Sequence, residues 1–295
     1  MRVAITGSSG LIGTELRSAL TKRGDTVVRI VRSNAGANDV LWDIAAGTID
    51  SAALDGVDAV VHLAGEGIGE KKWTPEQKAK IRDSRVDSTT LIANTLAGMD
   101  NKPSVFLCGS ALGFYGSRGD EKLTESSDRG SGFLSDVVVA WEAAATPAVD
   151  AGIRTAFSRT GVVLSPEGGA LKEQLPFFKM GIGGKIGDGS QYWSWISISD
   201  MVSGLLFILD NDISGPVNLT APNPSTNAEF TSALGKQLGR PTFLPTPKPA
   251  VQIRLGKEMA EALLYDSARV LPEVLLESGF TFEHPTIDAA FAALL

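Results

Sequence analysis

Hydrophobic and polar positions change period several times along the chain, and each change marks an element. Residues 2–6 (RVAIT) are an apolar run ending in glycines, the pattern of a buried strand and a turn. An amphipathic helix follows over 11–22, then a second strand over 26–31. The alternation continues with an apolar strand at 59–63. Next comes a long helix whose start is marked by Thr74-Pro75-Glu76-Gln77, an N-cap with proline at N1 and a capping-box glutamine. A strand at 104–108, a helix over about 134–149 and a strand at 155–158 complete the series. Strands alternating with helices predict an α/β chain whose parallel sheet is covered on both faces.

After residue 160 the rhythm changes. A glycine-rich stretch at 180–189 leads into Gln191-Tyr192-Trp193-Ser194-Trp195, and a helix is expected near 200–209. A proline-rich connector at 241–249 precedes a tail of short helices, with Leu255, Met259 and Leu263 and then Val270, Val274 and Leu275 at helical spacing. This reads as a cap docked on a lobe. No internal repeat or low-complexity tract interrupts the pattern.

With 295 residues, 43% of them hydrophobic and 21% charged, the chain can bury a sizeable core. Twenty-seven Lys and Arg against 34 Asp and Glu give a net charge of −7, which argues against nucleic acid as a partner. Residues 1–40 run the other way, with Arg2, Arg17, Lys22, Arg23, Arg29 and Arg32 against Glu15, Asp25 and Asp39. That bias suits an anionic ligand, although a solvated helix face would share it. One cysteine, Cys108, and two histidines, His62 and His284, point to a reducing, cytoplasmic setting and to no metal site. The apolar residues at 3–5 run directly into glycines, as in a strand and not a signal peptide, and no run is long enough to span a membrane.

The chemistry begins at Thr6-Gly7-Ser8-Ser9-Gly10-Leu11-Ile12-Gly13. Glycine at the first position permits a tight turn. At the second it lets backbone N–H groups approach a pyrophosphate, and at the third it lets helix and strand pack closely. Set between a strand and a helix, the triplet predicts a nicotinamide dinucleotide site that includes Gly7, Ser9, Gly10, Leu11, Ile12 and Gly13. The second strand ends Ile30-Val31-Arg32-Ser33, without the carboxylate that would bind a ribose 2′-hydroxyl. A guanidinium and a hydroxyl favour a 2′-phosphate, so Arg32 and Ser33 point to NADP(H), with NAD(H) as the alternative.

The chain resembles the extended short-chain dehydrogenase/reductase superfamily, in its NAD(P)-dependent epimerase-like branch. The resemblance rests on TGSSGLIG at 6–13, GVDAVVHLAGEGIGEKKWT at 56–74, SRVDSTTLI at 84–92, GSALGFYG at 109–116, WEAAA at 141–145, RTGVVLSPEGGAL at 159–171, GGKIGDGSQYWSWISISDMVSGL at 183–205 and RVLPEVLLESGFTF at 269–282. It implies a doubly wound Rossmann sheet over 1–165, with 193–219 returning to it, and a smaller substrate lobe with a helical tail in 166–295. It places Leu63, Ala64, Gly65 and Glu66 beside the cofactor. It also makes Ser110 the group that hydrogen-bonds a substrate oxygen, with Tyr115 close to the substrate. Members carry Tyr-x-x-x-Lys on the following helix; aligning Glu142 with the acidic residue after that lysine puts Val138 at the lysine position and Leu134 at the tyrosine position. Neither can exchange a proton.

Two functions therefore stay open. The first is a working NADP(H)-dependent oxidoreductase or epimerase-like enzyme acting on a small carbonyl or hydroxyl substrate, with its proton carried by another group. Ser110, Tyr115 and Glu142 lead that set, with Asp136 and Glu66 behind them. The second is a catalytically silent dinucleotide-binding module with a regulatory or partner-binding role. The substrate side is expected to draw on Trp73, Arg85, Ser110, Tyr115, Arg159 and Trp193, with 183–189 as a lid or a compact turn. Scattered Lys172, Lys179 and Lys185 disfavour a nucleotide sugar, whose diphosphate needs clustered cations. The assembly is expected to be a monomer or homodimer.

Overall fold

The computed structural model describes residues 1–295, apart from the side chain of Ala250. The chain begins β1 (Arg2–Thr6), α1 (Leu11–Arg23), β2 (Thr26–Val31), β3 (Val40–Asp43), β4 (Thr48–Ile49), β5 (Ala59–His62) and α2 (Pro75–Ala97). Next come β6 (Val105–Ala111), β7 (Lys122–Leu123), α3 (Phe133–Ala143), α4 (Thr146–Asp150), β8 (Arg154–Thr160), β9 (Val162–Leu164) and α5 (Gly169–Lys179). They lead to β10 (Tyr192–Trp193), β11 (Trp195–Ser197), α6 (Ile198–Asp210), β12 (Gly215–Leu219), β13 (Ser225–Thr226) and α7 (Asn227–Leu238). The tail holds α8 (Lys248–Leu255), α9 (Lys257–Ala260), β14 (Arg269–Val270), α10 (Glu273–Glu277) and α11 (Ile287–Leu294).

Eight strands form one sheet in the order β12-β8-β6-β5-β1-β2-β3-β4, parallel except for the β3–β4 pair. The chain winds outward from β1 through β2 and β3, then restarts at β5 and winds the other way. The reversal lies between β1 and β5, and a doubly wound sheet opens its ligand crevice at the carboxyl ends there. Alternation along β1 sends Val3 and Ile5 to one face, against Leu16, Leu20, Met201 and Leu205, and Ala4 to the other, among Val28, Val60, Ile92 and Phe106. Both faces are buried, so the strands read as unbroken apolar runs. A separate cluster joins α5, α7 and α11 through Leu171, Phe178, Phe230 and Phe291, with Trp193 and Trp195.

Several local expectations change. The helix expected over 134–149 is two: α3 stops at Ala143 and α4 restarts with Pro147 in its first turn. Proline lacks the N–H that the interior of a continuous helix would need. Thr74 caps α2 by accepting from Gln77 N at 3.2 Å, but the Gln77 side chain turns away from the cap and donates to Glu66 Oε1 at 3.1 Å. The β3–β4 hairpin had no strong pattern in the sequence. β12 joins the sheet beside β8 from far along the chain.

One buried imidazole ties β1, β5 and α2 together. Thr6 Oγ1 accepts from Leu63 N at 3.1 Å and Ala64 N at 3.2 Å, so its own proton goes to His62 Nδ1 at 2.7 Å. The other ring nitrogen is then the protonated one, and Nε2–H donates to Ser88 Oγ at 3.0 Å while Ser88 donates to Ser84 O at 2.6 Å. Burial, reinforced by the Arg85 charge, pushes the His62 pKa down to about 3. The sign of the pH effect follows. Above pH ~6.5 neither folded nor unfolded chain protonates this ring; below it the unfolded chain takes a proton that the folded chain refuses, and stability is lost progressively towards pH 3. In urea titrations between pH 6.5 and 4, the midpoint of the parent chain should fall more steeply than that of His62→Gln. Parallel curves would mean that His62 is charged in the folded chain.

Candidate active-site cleft

The turn after β1 depends on two glycines for different reasons. Gly7 has φ +63°, and a Cβ there would lie 2.8 Å from the Leu63 backbone. A Cβ on Gly13 would collide with the Gly7 carbonyl, so α1 can start this close to the turn only with glycine at 13. Gly10 N donates to Gly7 O at 3.0 Å, and Gly10, the N-cap of α1, offers no side-chain acceptor to the helix. The first-turn N–H groups are therefore free for an anion, and the helix dipole favours one there. Arg17 Nη1 braces the turn by donating to Ser8 O at 3.1 Å. The space and the donors fit a pyrophosphate.

Register places Ile30 of β2 opposite Thr6, so Arg32 and Ser33 lie level with the glycine turn. Both are exposed, and Arg32 makes no ion pair among the described residues. Asp39, the next carboxylate along the chain after β2, is already held by Arg29 and by Gly36 N. Ser9 is exposed on the turn, while Gly7, Gly10, Leu11, Ile12, Gly13 and Leu63 line a cleft of about 2000 Å³. Single-ligand pockets run to roughly 300–1,000 Å³, so this cleft has room beyond a dinucleotide.

Ser110 lines the same cleft near the end of β6 and donates to Glu142 Oε1 at 2.6 Å. Glu142 is gripped in turn by Arg159, whose Nε reaches Oε1 and whose Nη2 reaches Oε2, each at 2.9 Å. Arg159 Nη1 donates to the Tyr115 hydroxyl at 3.0 Å, and Tyr115 donates to Asn218 Oδ1 at 2.8 Å. The Phe114 ring covers the guanidinium, 3.4 Å from its centroid. Arg159 is 4% exposed and Tyr115 fully buried, so only Ser110 of this network faces the cleft. Burial raises the Tyr115 pKa despite the opposing Arg159 and Asn218 contacts. Burial works against the Arg159 cation, but the Glu142 contacts outweigh it and its pKa rises.

Leu134 and Val138 line the cleft one turn apart on α3. Trp141, one turn further, fills the space left by Gly109, where a Cβ would stand 2.8 Å from the indole. Arg85 also lines the cleft. It lies over the Trp141 ring at 5.1 Å, and Nη1 donates to Glu66 O and Ile81 O at 2.9 and 3.0 Å. It has no carboxylate within ion-pair distance among the described residues, and burial lowers its pKa to about 10, with Glu66 opposing. Trp73 stands at the wall, its Nε1 donating to Ile68 O at 2.9 Å and its ring edge-to-face with Phe133.

The remaining residues singled out in the sequence are held elsewhere. The Glu66 carboxylate is taken by Gln77 and Lys71, and Asp136 pairs with Arg129 at the surface. Ala64 and Gly65 follow Leu63, with Gly65 pressed against the Arg85 side chain. Trp193 is 7% exposed and belongs to the lobe core beside Phe230 while still touching the cleft. The 183–189 segment is compact: Gly183 packs on Phe178, Gly184 on the Leu244 backbone, and Ile186 bridges to Thr246. Sequence reasoning missed Trp141 and Asn218. Leu134, Val138 and Trp141 share one helix face, a signal that could have found the first; nothing local marks Asn218.

Residues 3–219 match the NAD dependent epimerase/dehydratase family, and residues 246–294 match a domain of unknown function (DUF1731). Epimerase family protein Mb2239 of Mycobacterium bovis is 44% identical over 290 residues, covering 98% of this chain and 95% of that protein. Human epimerase family protein SDR39U1, solved with NADPH, superposes with TM-score 0.92 at 33% identity, over 100% of this chain and 99% of that one. A nucleoside-diphosphate sugar epimerase from Corynebacterium glutamicum superposes with TM-score 0.81 at 39% identity, over 100% of this chain and 58% of that one.

The Glu142–Arg159 pair sets a measurable expectation. Arg159→Met leaves a carboxylate in the interior without its counter-charge, and urea unfolding should show a loss of about 3–5 kcal/mol. Adding Glu142→Gln to that variant should restore part of the loss. Additive costs would mean that the two side chains are not coupled.

Proposed function

The chain belongs to the NAD-dependent epimerase/dehydratase family, the branch of the extended short-chain dehydrogenase/reductases that its motifs resemble, and from that premise we propose that it is an NADP(H)-dependent oxidoreductase or epimerase-like enzyme acting on a carbonyl or hydroxyl group beside Ser110. The observation that carries the cofactor reading is the uncapped start of α1 behind glycines with no room for a Cβ, with the unpaired Arg32 and Ser33 level with it. NADPH in the human relative supports the same choice, and NAD(H) is the weaker alternative.

In this reading Gly7, Gly10 and Gly13 admit the pyrophosphate, and the first-turn N–H groups of α1 bind it. Arg32 and Ser33 take the 2′-phosphate, Ser9 stands at the turn, and Leu11, Ile12, Leu63, Ala64 and Gly65 shape the cleft around the nucleotide. The bound dinucleotide supplies or accepts a hydride. With the cleft empty Ser110 donates to Glu142, which leaves its lone pairs for a substrate hydroxyl; for a substrate carbonyl the Ser110 hydroxyl would turn its proton from Glu142 into the cleft. Arg159 holds Glu142 stationary through two hydrogen bonds, which makes that carboxylate an anchor for Ser110. Leu134 and Val138 beside Ser110 carry no exchangeable proton, so the proton that a reduced carbonyl oxygen needs would come from solvent at the mouth of the cleft. Tyr115, Glu142 and Arg159 are positioning residues in this scheme. Arg85, expected on the substrate side, lies against Gly65 and in this reading would stand on the cofactor's side of the cleft.

A second reading, a silent dinucleotide-binding module, draws on one observation: the cleft presents Leu134 and Val138 while Tyr115 and Glu142 are locked behind it. A carbonyl and alcohol panel monitored at the nicotinamide band separates the two, since a module gives tight cofactor binding and no turnover. For the cofactor, Arg32→Ala should weaken NADPH about tenfold or more in titrations while leaving NADH unchanged, the worth of one charged hydrogen bond. Equal weakening of both would remove the 2′-phosphate role. Given a turned-over substrate, Ser110→Ala should lower kcat/KM by about tenfold to a hundredfold with the Kd for NADPH unaltered.

A further inference from the structure

Beyond the glycine turn the cleft runs between α3 and the lobe, and much of its wall there is hydrocarbon. Trp73, Phe133 and Leu134 form one side; Phe177, Leu255 and Met259 form the other. The apolar surface continues to the mouth, where Phe177 is 41% and Ile182 53% exposed.

Some of the charged side chains along this half pair with one another, and others have no ionic partner among the described residues. Arg254 pairs with Glu173 at 3.3 Å, Glu261 with Lys248 at 2.7 Å and Glu258 with Lys78 at 2.6 Å. Lys72 donates to Ile253 O at 2.8 Å, and Lys257 is an exposed residue of α9. A diphosphate carried into such a cleft would need converging cations or N–H groups to replace its water. Beside the apolar wall this half offers Lys72 and Lys257 without carboxylate partners among the described residues, and the three carboxylates of Glu173, Glu258 and Glu261.

We infer that the substrate is an uncharged aldehyde, ketone or corresponding alcohol borne on a hydrocarbon body, its reacting oxygen at Ser110 and its body along Leu134, Phe177 and Leu255, and that it is not a nucleoside diphosphate sugar. The inference rests on the dinucleotide reading for the placement of the reacting end only. The apolar wall is formed by the chain itself, so the body's recognition does not depend on the cofactor.

Calorimetric titration tests it with a series of 2-alkanones of four to ten carbons, alongside UDP-glucose and UDP-glucuronate, on the NADPH-loaded and the free protein. Burial of each added methylene should lower Kd about threefold to fourfold until the wall is covered. Neither sugar nucleotide should bind saturably up to millimolar concentration. Leu255→Glu, at a half-exposed position, should raise the Kd of the longest ketone at least tenfold while the Kd for NADPH changes less than twofold. Saturable UDP-sugar binding, affinity independent of chain length, or no ketone binding by either form would each overturn the proposal. Loss of NADPH binding alone, with the chain-length series intact on the free protein, would instead overturn the cofactor reading.

Discussion

A carboxylate and a guanidinium share the interior between β6, α3 and β8, and much of the cleft's chemistry follows from the need to keep them together. Removing either partner would leave the other with a desolvation cost that the packing around it does not return. Their bidentate contact fixes α3 against β8. The two remaining polar partners then have determined positions. Ser110 gives its proton to Glu142, and the Tyr115 hydroxyl closes the far side by accepting from Arg159 and donating to Asn218.

That arrangement explains why the cleft is so poor in titratable groups where the superfamily places them. Leu134 and Val138 face the ligand space, and the ionisable residues nearby are turned inward as a structural unit. A reaction of the proposed kind in such a site would lean on orientation and on a hydride donor more than on a tuned acid. An apolar face on α3 is consistent with an apolar continuation across the cleft to α5 and α8, so the same substitutions bear on both proton transfer and the kind of molecule the cleft can hold.

The glycine turn is linked to this region through β5. Thr6 holds the Leu63 and Ala64 N–H groups and hands its proton to His62, whose opposite nitrogen reaches α2 through Ser88. Arg85, one turn before Ser88 on α2, returns to the loop after β5 and lies on Trp141 of α3. The glycine turn and α3 are thus connected by a series of contacts through β5 and α2.

Local pattern carried the winding of the sheet: apolar runs separated by amphipathic stretches determine strand and helix by period alone, and the glycine triplet fixes a turn whose geometry no side chain would allow. The residues at the end of β2 were equally legible, since Arg32 and Ser33 follow a recognised strand. Other features needed distant parts of the chain to meet. Glu142 and Arg159 lie on different elements, Asn218 arrives on β12 to meet Tyr115, and β12 joins β8 only after the α5 region has been threaded through the lobe. Side-chain burial and charge pairing are decided by those meetings, because desolvation depends on everything packed around a group and not on its neighbours in sequence. Composition and period therefore determined that this chain builds a dinucleotide crevice, whereas tertiary packing decided that Ser110 alone of its polar network faces it.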